Sequence, residues 1–402
     1  MTFPEDNNQL DHFLQFADAH QADDPQKLAL MAYKYPGVDM TFVIDQIEGR
    51  RIATSKLPQW AATQGIVYPP RVSMEQCSSE QAALYKATLV AGDTLIDLTG
   101  GLGVDFSYMA RRAAHATYVE QQDLLCRIAE HNFPLLGIHA DVVQDEATHF
   151  LQERVNQAVG TIFLDPARRD NHGQRVMLMQ DCSPDVTTML PMLLAKAQRI
   201  IIKLAPMLDI SLALRQLHHV SQVHIVSVAG QCRELLLVLE PIAHGEPVFY
   251  CVNDDNCFTF DPSLPVPDPS YWDGDTSGTL YLHEPNASVM KAACHKHVAH
   301  CFGICMMAPT SHLFVSRKPL EHFPGRSFVV DTVTTMNKRA LAQALRGIDH
   351  ANVATRNFPL RAPDLARRLG VKDGGDIFIF GTTSSDGIHL IFITHKLSFS
   401  VL

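Results

Sequence analysis

Carboxylates arranged around a glycine-rich turn are the groups in this chain best placed to do chemistry. Leu95-Ile-Asp-Leu-Thr-Gly-Gly-Leu-Gly-Val-Asp105 reads as an apolar strand running into a turn that opens a helix. Asp97 and Thr99 stand at the end of the strand, and Gly100, Gly101 and Gly103 form the turn. Glycines let backbone N–H groups come close to a ligand, and the start of a helix adds positive partial charge. A second apolar run, Ala116–Val119, leads into Glu120 and Gln121. After a third run stands Asp145, with Glu146 as the alternative carboxylate. This order predicts a nucleoside-cofactor site at the switch point of a doubly wound sheet.

Two further segments face the same crevice. Thr161-Ile-Phe-Leu-Asp-Pro-Ala-Arg-Arg-Asp170 is an apolar strand ending in Asp165 and Pro166, followed by Arg168 and Arg169. Proline fixes φ and stiffens the turn. Arginine forks suit a phosphate or a base edge; a bridge to Asp170 is the plainer alternative. Lys203 lies in the apolar run Ile201-Ile-Lys-Leu-Ala-Pro206. A lysine there needs a partner, either Asp165 or a substrate phosphate, unless it snorkels to water. Asp165, Pro166, Arg168 and Lys203 are therefore the candidate catalytic residues.

The elements that must position these groups are legible as periodicity. Residues 1–70 carry apolar residues at three- and four-residue spacing, as in Leu10–Ala19 and Pro25–Lys34, and read as helical. Ser78 or Ser79 can cap a helix running to about Val90. Strands then alternate with helix-length segments: Thr94–Leu98, Ala116–Val119, His139–Val143, Thr161–Leu164, Ile200–Leu204, Val223–Val228 and Glu234–Glu240. The first five predict a parallel sheet covered on both faces. The last two, joined by Ala229-Gly230, predict a hairpin with an antiparallel seventh strand. Six prolines between Pro241 and Pro269 mark a loop-rich join. Beyond it, a helical segment Asn286–Gly303 and a small α+β module over 326–402 are expected.

Composition narrows the class. A chain of 402 residues needs two or three domains. No apolar run reaches the length of a membrane span. The acidic, polar N-terminus and nine irregularly spaced cysteines predict no secretory leader and a reducing, cytoplasmic setting. A net charge of −10 excludes indiscriminate nucleic-acid binding, yet residues 326–402 hold ten Lys/Arg against six Asp/Glu. Cys294, His295, His297, His300, Cys301 and Cys305 sit on one short stretch rather than in two separated pairs. They read as a buried helix, so no metal is expected.

A dinucleotide fingerprint needs a glycine where Phe106 stands. The pattern Asp-x-Thr-x-Gly-x-Gly instead resembles the first motif of class I S-adenosylmethionine (AdoMet) methyltransferases. Further motifs are Glu75-Gln-Cys-Ser-Ser-Glu80, Asp165-Pro-Ala-Arg-Arg-Asp170, Lys203 to Asp209, Gly230-Gln-Cys-Arg-Glu234 and Glu284-Pro-Asn286. Phe323-Pro-Gly-Arg326, Arg356-Asn-Phe-Pro359 and Asp373-Gly-Gly-Asp376 complete the set. Together the chain resembles a bacterial family of class I AdoMet-dependent methyltransferases that carry a C-terminal THUMP-like domain.

The resemblance implies an α/β protein with a seven-stranded Rossmann-like methyltransferase core. Its parts would be a helical N-terminal region (1–72), the core (73–242), a small ferredoxin-like α+β module (243–325) and a THUMP-like module (326–402). It implies AdoMet as cofactor and RNA, tRNA or rRNA, as substrate. The RNA would dock on Arg356, Arg361, Arg367, Arg368 and Lys372 and meet Asp165 and Arg168. Pyrimidine carbon-5 chemistry needs a cysteine nucleophile, and Cys182 and Cys232 read as structural, so a nitrogen target is favoured. Methylation of a protein or small molecule, or a non-catalytic RNA-binding role, are the alternatives.

Overall fold

Strands that are apolar along their whole length are stable only inside a sheet covered on both faces. The computed structural model, which describes residues 3–4, 6–168, 182–243 and 245–398, places them there. Two compact units result: 1–224 with 234–247, and 225–233 with 248–402.

In the first unit the strands are β1 (Thr94–Asp97), β2 (His115–Glu120), β3 (Asp141–Gln144), β4 (Val159–Leu164), β5 (Ala197–Leu204), β6 (Val220–Val228) and β7 (Gln231–Leu239). The boundary between the units passes through the β6–β7 hairpin. Strand order is β6-β7-β5-β4-β1-β2-β3. Neighbours from β3 through β5 are parallel, and β7 is antiparallel to β5, as the sequence predicts. Ile162, Ile200, Ile201, Leu235 and Leu237 are almost wholly buried. Helices Asn7–Ala19, Pro25–Leu30 and Met40–Lys56, each capped by an aspartate (Asp6, Asp24, Asp39), form the N-terminal region. Their apolar faces, including Phe13, Phe42 and Ile47, pack into one cluster with Ile128.

The second unit has its own sheet. The unit opens with the hairpin strands β8 (Val248–Asn253) and β9 (Asn256–Phe260), which are not part of that sheet; the sheet's strands are β10 (Leu280–Pro285), β11 (Phe314–Ser316), β12 (Gly325–Thr335), β13 (Asn352–Arg356), β14 (Ile377–Thr383) and β15 (His389–Lys396). Cys305–Met306, β11, β10, β12, β15, β14 and β13 follow one another across a seven-stranded sheet. Phe328, Phe380 and Phe392 anchor one apolar cluster, and Leu365, Ile379 and Ile391 a second. Helix Ala362–Leu369 buries Leu365 and Leu369 and ends at Gly370, whose φ of 76° an L side chain would resist.

Three expectations are corrected. The proline-rich join contains the β8–β9 hairpin, because Phe249–Asn253 and Asn256–Phe260 pair across a two-residue turn with Asp254 at φ 52°. The helical segment Asn286–Gly303 is two helices, Ala287–Ala292 and His295–Phe302, divided where Ala293 turns left-handed. Strands β10 and β13, short and not alternating, are additions that sheet pairing reveals.

Candidate active site

The glycine turn is built by close packing as much as by φ freedom. Gly101 and Gly103 have φ of 56° and 72°. A Cβ on Gly100 would lie 2.2 Å from the Tyr118 ring, and one on Gly103 would lie 2.8 Å from Phe133. The Tyr118 hydroxyl donates to the Gly101 carbonyl. Glu120 closes the turn from β2: one carboxylate oxygen accepts the Gly101 N–H and the other the Gln122 N–H, both at 2.9 Å. Gly103→Ala is therefore expected to cost about 2–4 kcal/mol from a left-handed alanine and an aromatic clash. Denaturant unfolding would measure it.

Asp97 is 2% exposed and accepts the Thr99 N–H at 2.9 Å. Burial, reinforced by Asp105, Asp165 and Glu120, pushes its carboxyl up to about 8. Thr99 ties two strand ends together, since its hydroxyl accepts the Asp165 N–H at 2.6 Å. The Lys203 ammonium donates to Asp165 at 2.7 Å and to Asp105 at 3.0 Å. The carboxylate partner foreseen for this lysine is thus Asp165. Burial alone would lower the Lys203 ammonium, but Asp105 and Asp165 raise it well above the ordinary lysine value.

Behind Lys203 lies a network that sequence reasoning missed. Lys86 is fully buried, 3.1 Å from Asp105, and donates to Glu234 and, at 3.2 Å, to Ser78. Ser78 in turn donates to Asp105 at 2.9 Å. Despite burial, which would raise it, Lys203 and Lys86 hold the Asp105 carboxyl down to about 2. Burial raises Glu234 although Lys86 opposes it. Ser79, not Ser78, caps the helix Glu80–Ala87. The missed signal was Lys86 inside the run Ala82-Ala-Leu-Tyr-Lys-Ala87, the same anomaly that singled out Lys203.

Asp97, Thr99, the three glycines, Asp105, Asp165 and Lys203 line one cavity of 240 Å3. Gln121 and Asp145 do not line it. The Asp145 carboxylate accepts from the Glu146 N–H and from His149, both at 2.8 Å, and pairs with Arg154 at 3.4 Å. Glu146 caps helix Ala147–Glu153. Pro166 precedes the short strand Ala167–Arg168, which pairs with Cys182–Ser183. Arg169, Asp170 and the Arg168 side chain lie outside the described residues. Cys77 joins the wall unforeseen, its thiol raised chiefly by burial. Cys294 faces Cys251 across 3.9 Å between sulfurs, and His295 stacks on His312 at 4.2 Å. Among the described residues no three His, Cys, Asp or Glu side chains converge as a metal site.

Comparison with known proteins is decisive on the family. The crystal structure of a Porphyromonas gingivalis W83 protein assigned as a methyltransferase superposes with a TM-score of 0.87 at 30% identity, covering 99% of this chain and 100% of that one. The chain belongs to the class I AdoMet-dependent methyltransferases that carry a C-terminal THUMP-like domain. Residues 325–396 match the THUMP domain-like family model and residues 281–324 a ferredoxin-like domain. Two uncharacterized S-adenosylmethionine-dependent methyltransferases of Mycobacterium tuberculosis, strains CDC 1551 and H37Rv, are each 23% identical over 305 residues, 75% of this chain and 80% of theirs.

AdoMet is the cofactor of this methyltransferase, and the cavity suits it. Asp97, Asp105 and Asp165 in the wall, with Glu120 close behind, favour a ligand bearing a sulfonium and an ammonium. The glycine turn leaves room where side chains would collide. No helix among the described residues is long and apolar enough to cross a membrane.

Proposed function

We propose that this methyltransferase modifies RNA, at a base nitrogen of tRNA or rRNA. The observation that carries the reading is the charge of the THUMP-like module. Residues 326–402 hold ten Lys/Arg against six Asp/Glu in a chain of net charge −10. Arg361, Arg367, Arg368 and Lys372 are exposed; Arg361 stands at the N-cap of helix Ala362–Leu369 and Arg367 and Arg368 lie in its last turn, while its other face is buried. Exposed cations on one helix face suit a phosphate backbone. Only one of these arginines has a salt bridge among the described residues, Arg367 with Asp364 at 3.2 Å. Such a surface pair is weak enough to yield to phosphate.

In this reading Asp97 and Glu120 hold the cationic nucleoside cofactor, with Thr99, Gly100, Gly101 and Gly103 shaping the turn beneath it. Gln121 and Asp145 would be the outer contacts. Bound AdoMet supplies a methyl group already activated on a sulfonium. Asp165 then orients the incoming amine by accepting its hydrogen bond, while Lys203 holds the carboxylate and the Thr99 hydroxyl holds the Asp165 backbone N–H. Pro166 aims the following turn, and Arg168 meets the nucleotide. Cys77, a raised thiol, makes a poor nucleophile, which supports nitrogen over carbon-5. Nine free thiols support a cytoplasmic setting.

Loss of a single methylated nucleoside from the RNA of a deletion strain, read by mass spectrometry, is the expected result. An unchanged nucleoside profile would reject the RNA substrate. Asp165→Asn should lower kcat by about 10²–10⁴-fold with AdoMet affinity nearly intact; single-turnover methyl transfer and calorimetry separate the two effects.

A further inference from the structure

The motifs in the second unit that methyl transfer does not use converge on a second cavity of 710 Å3. The Gly230-Gln231 hairpin tip, Glu284-Pro-Asn286, Arg326 and Arg356 all line it. At its centre Glu284, with 6% of its side chain exposed, is gripped from both sides. Arg326 donates through Nε at 3.1 Å and through a second nitrogen to one oxygen, and Arg356 donates at 2.6 Å to the other. Arg326 also lies over the rings of Phe328 and Phe378, at 5.6 and 5.8 Å.

One carboxylate cannot neutralise two guanidiniums, so the clamp keeps a net positive charge. It also costs little entropy to use, because Glu284 and the aromatic rings already hold the arginine forks in place. Both arginines remain substantially exposed, at 51% and 40% of their side chains. This is a preorganised anion site.

The rest of the wall is of another kind. Gln231, Asn253 and Asn256 present side-chain amides. The Asn253 carbonyl oxygen is buried with no hydrogen-bond partner, although its NH2 donates to Asp254 at 2.9 Å. The Asn256 amide has no hydrogen-bond partner among the described residues. A bare phosphate or a carboxylate would satisfy the arginines and leave these amides idle. Amides beside an anion site read the edge of a base attached to a phosphate, and the volume accommodates one such unit.

We infer that this cavity receives one nucleotide of the RNA strand, separate from the nucleotide being methylated. Arg326 and Arg356 hold its phosphate, and Asn253, Asn256 and Gln231 contact its base. The inference rests on the RNA reading above. It assigns the second unit a role in holding the RNA strand.

The test titrates total tRNA, and separately AMP, into the full-length protein and two variants. Asn256→Asp puts a negative charge in the wall without breaking a side-chain bond, and Arg356→Gln removes one fork. Each variant should bind tRNA about tenfold more weakly, with AdoMet affinity unchanged. Arg356→Gln should also flatten the salt dependence of binding by about one counterion. AMP should bind no tighter than millimolar. If Arg356→Gln fails to fold, Asn256→Asp carries the test alone. Wild-type tRNA affinity in the folded variants would overturn the nucleotide site and leave the RNA reading standing. Tight AMP binding lost in the variants, with tRNA affinity kept, would assign the cavity to a free nucleotide instead. A wild-type protein that binds neither total tRNA nor, in the same titration, total rRNA would overturn the RNA reading, and this inference with it.

Discussion

Asp97→Asn is expected to weaken AdoMet binding by about 100-fold, or ~2.7 kcal/mol, with the fold retained. The substitution keeps the shape and the acceptor for the Thr99 N–H, but it deletes the buried charge. Burial first, then Asp105, Asp165 and Glu120, push this carboxyl up to about 8. In the cofactor-free protein it is therefore mostly protonated at neutral pH. A cationic ligand favours the ionised form, so binding releases a proton. Affinity should rise about tenfold per pH unit from pH 6 to 8 and level off above. Calorimetry in two buffers of different ionisation enthalpy would show the released proton. The same raised carboxyl works against the cofactor-free fold: the unfolded chain ionises near 4, so Asp97 erodes stability as pH rises from there toward 8. A pH-independent affinity, or normal binding by the Asp97→Asn variant, would remove Asp97 from the cofactor's contacts.

Lys86→Met is expected to be the most damaging single change to stability, at about 3–5 kcal/mol. It leaves Glu234 and Asp105, both buried, without the ammonium that joins them. Lys203 still reaches Asp105, but among the described residues Glu234 keeps only a side-chain hydroxyl contact, from Ser78 at 3.4 Å. The double variant Lys86→Met with Glu234→Gln should regain much of the loss, because the stranded charge is gone. Urea unfolding of the set forms a double-mutant cycle. The network also sets an acid limit. Asp105 is depressed to about 2 in the folded protein, so its stabilisation is present above the unfolded value near 4 and disappears as pH falls toward 2.

Much of the core was readable in advance. Apolar runs such as Thr161–Leu164 and Ile200–Leu204 can be stable only as buried central strands, and Asp97, Glu120 and Asp165 stand at strand ends where a switch-point site must lie. The hairpin β8–β9 was hidden because six prolines nearby outweighed two short alternating runs. The break at Ala293 was hidden because no glycine or proline marks it. Asp145 stands after the third strand as read, and its pairing with His149 and Arg154 is a detail that strand order does not reveal.

The residues alone determined the kind of ligand this protein takes, because a glycine turn flanked by carboxylates is a local arrangement spanning a few dozen positions. They also determined a basic tail on an acidic body, since charge is counted without knowing the fold. Which charges are shared was decided only by the tertiary structure. Lys86 meets Glu234 across 148 positions of chain, and Arg356 meets Glu284 across 72. Such pairings depend on which strands lie side by side, and in a buried site it is burial together with the neighbours in space that fixes whether a group carries a proton.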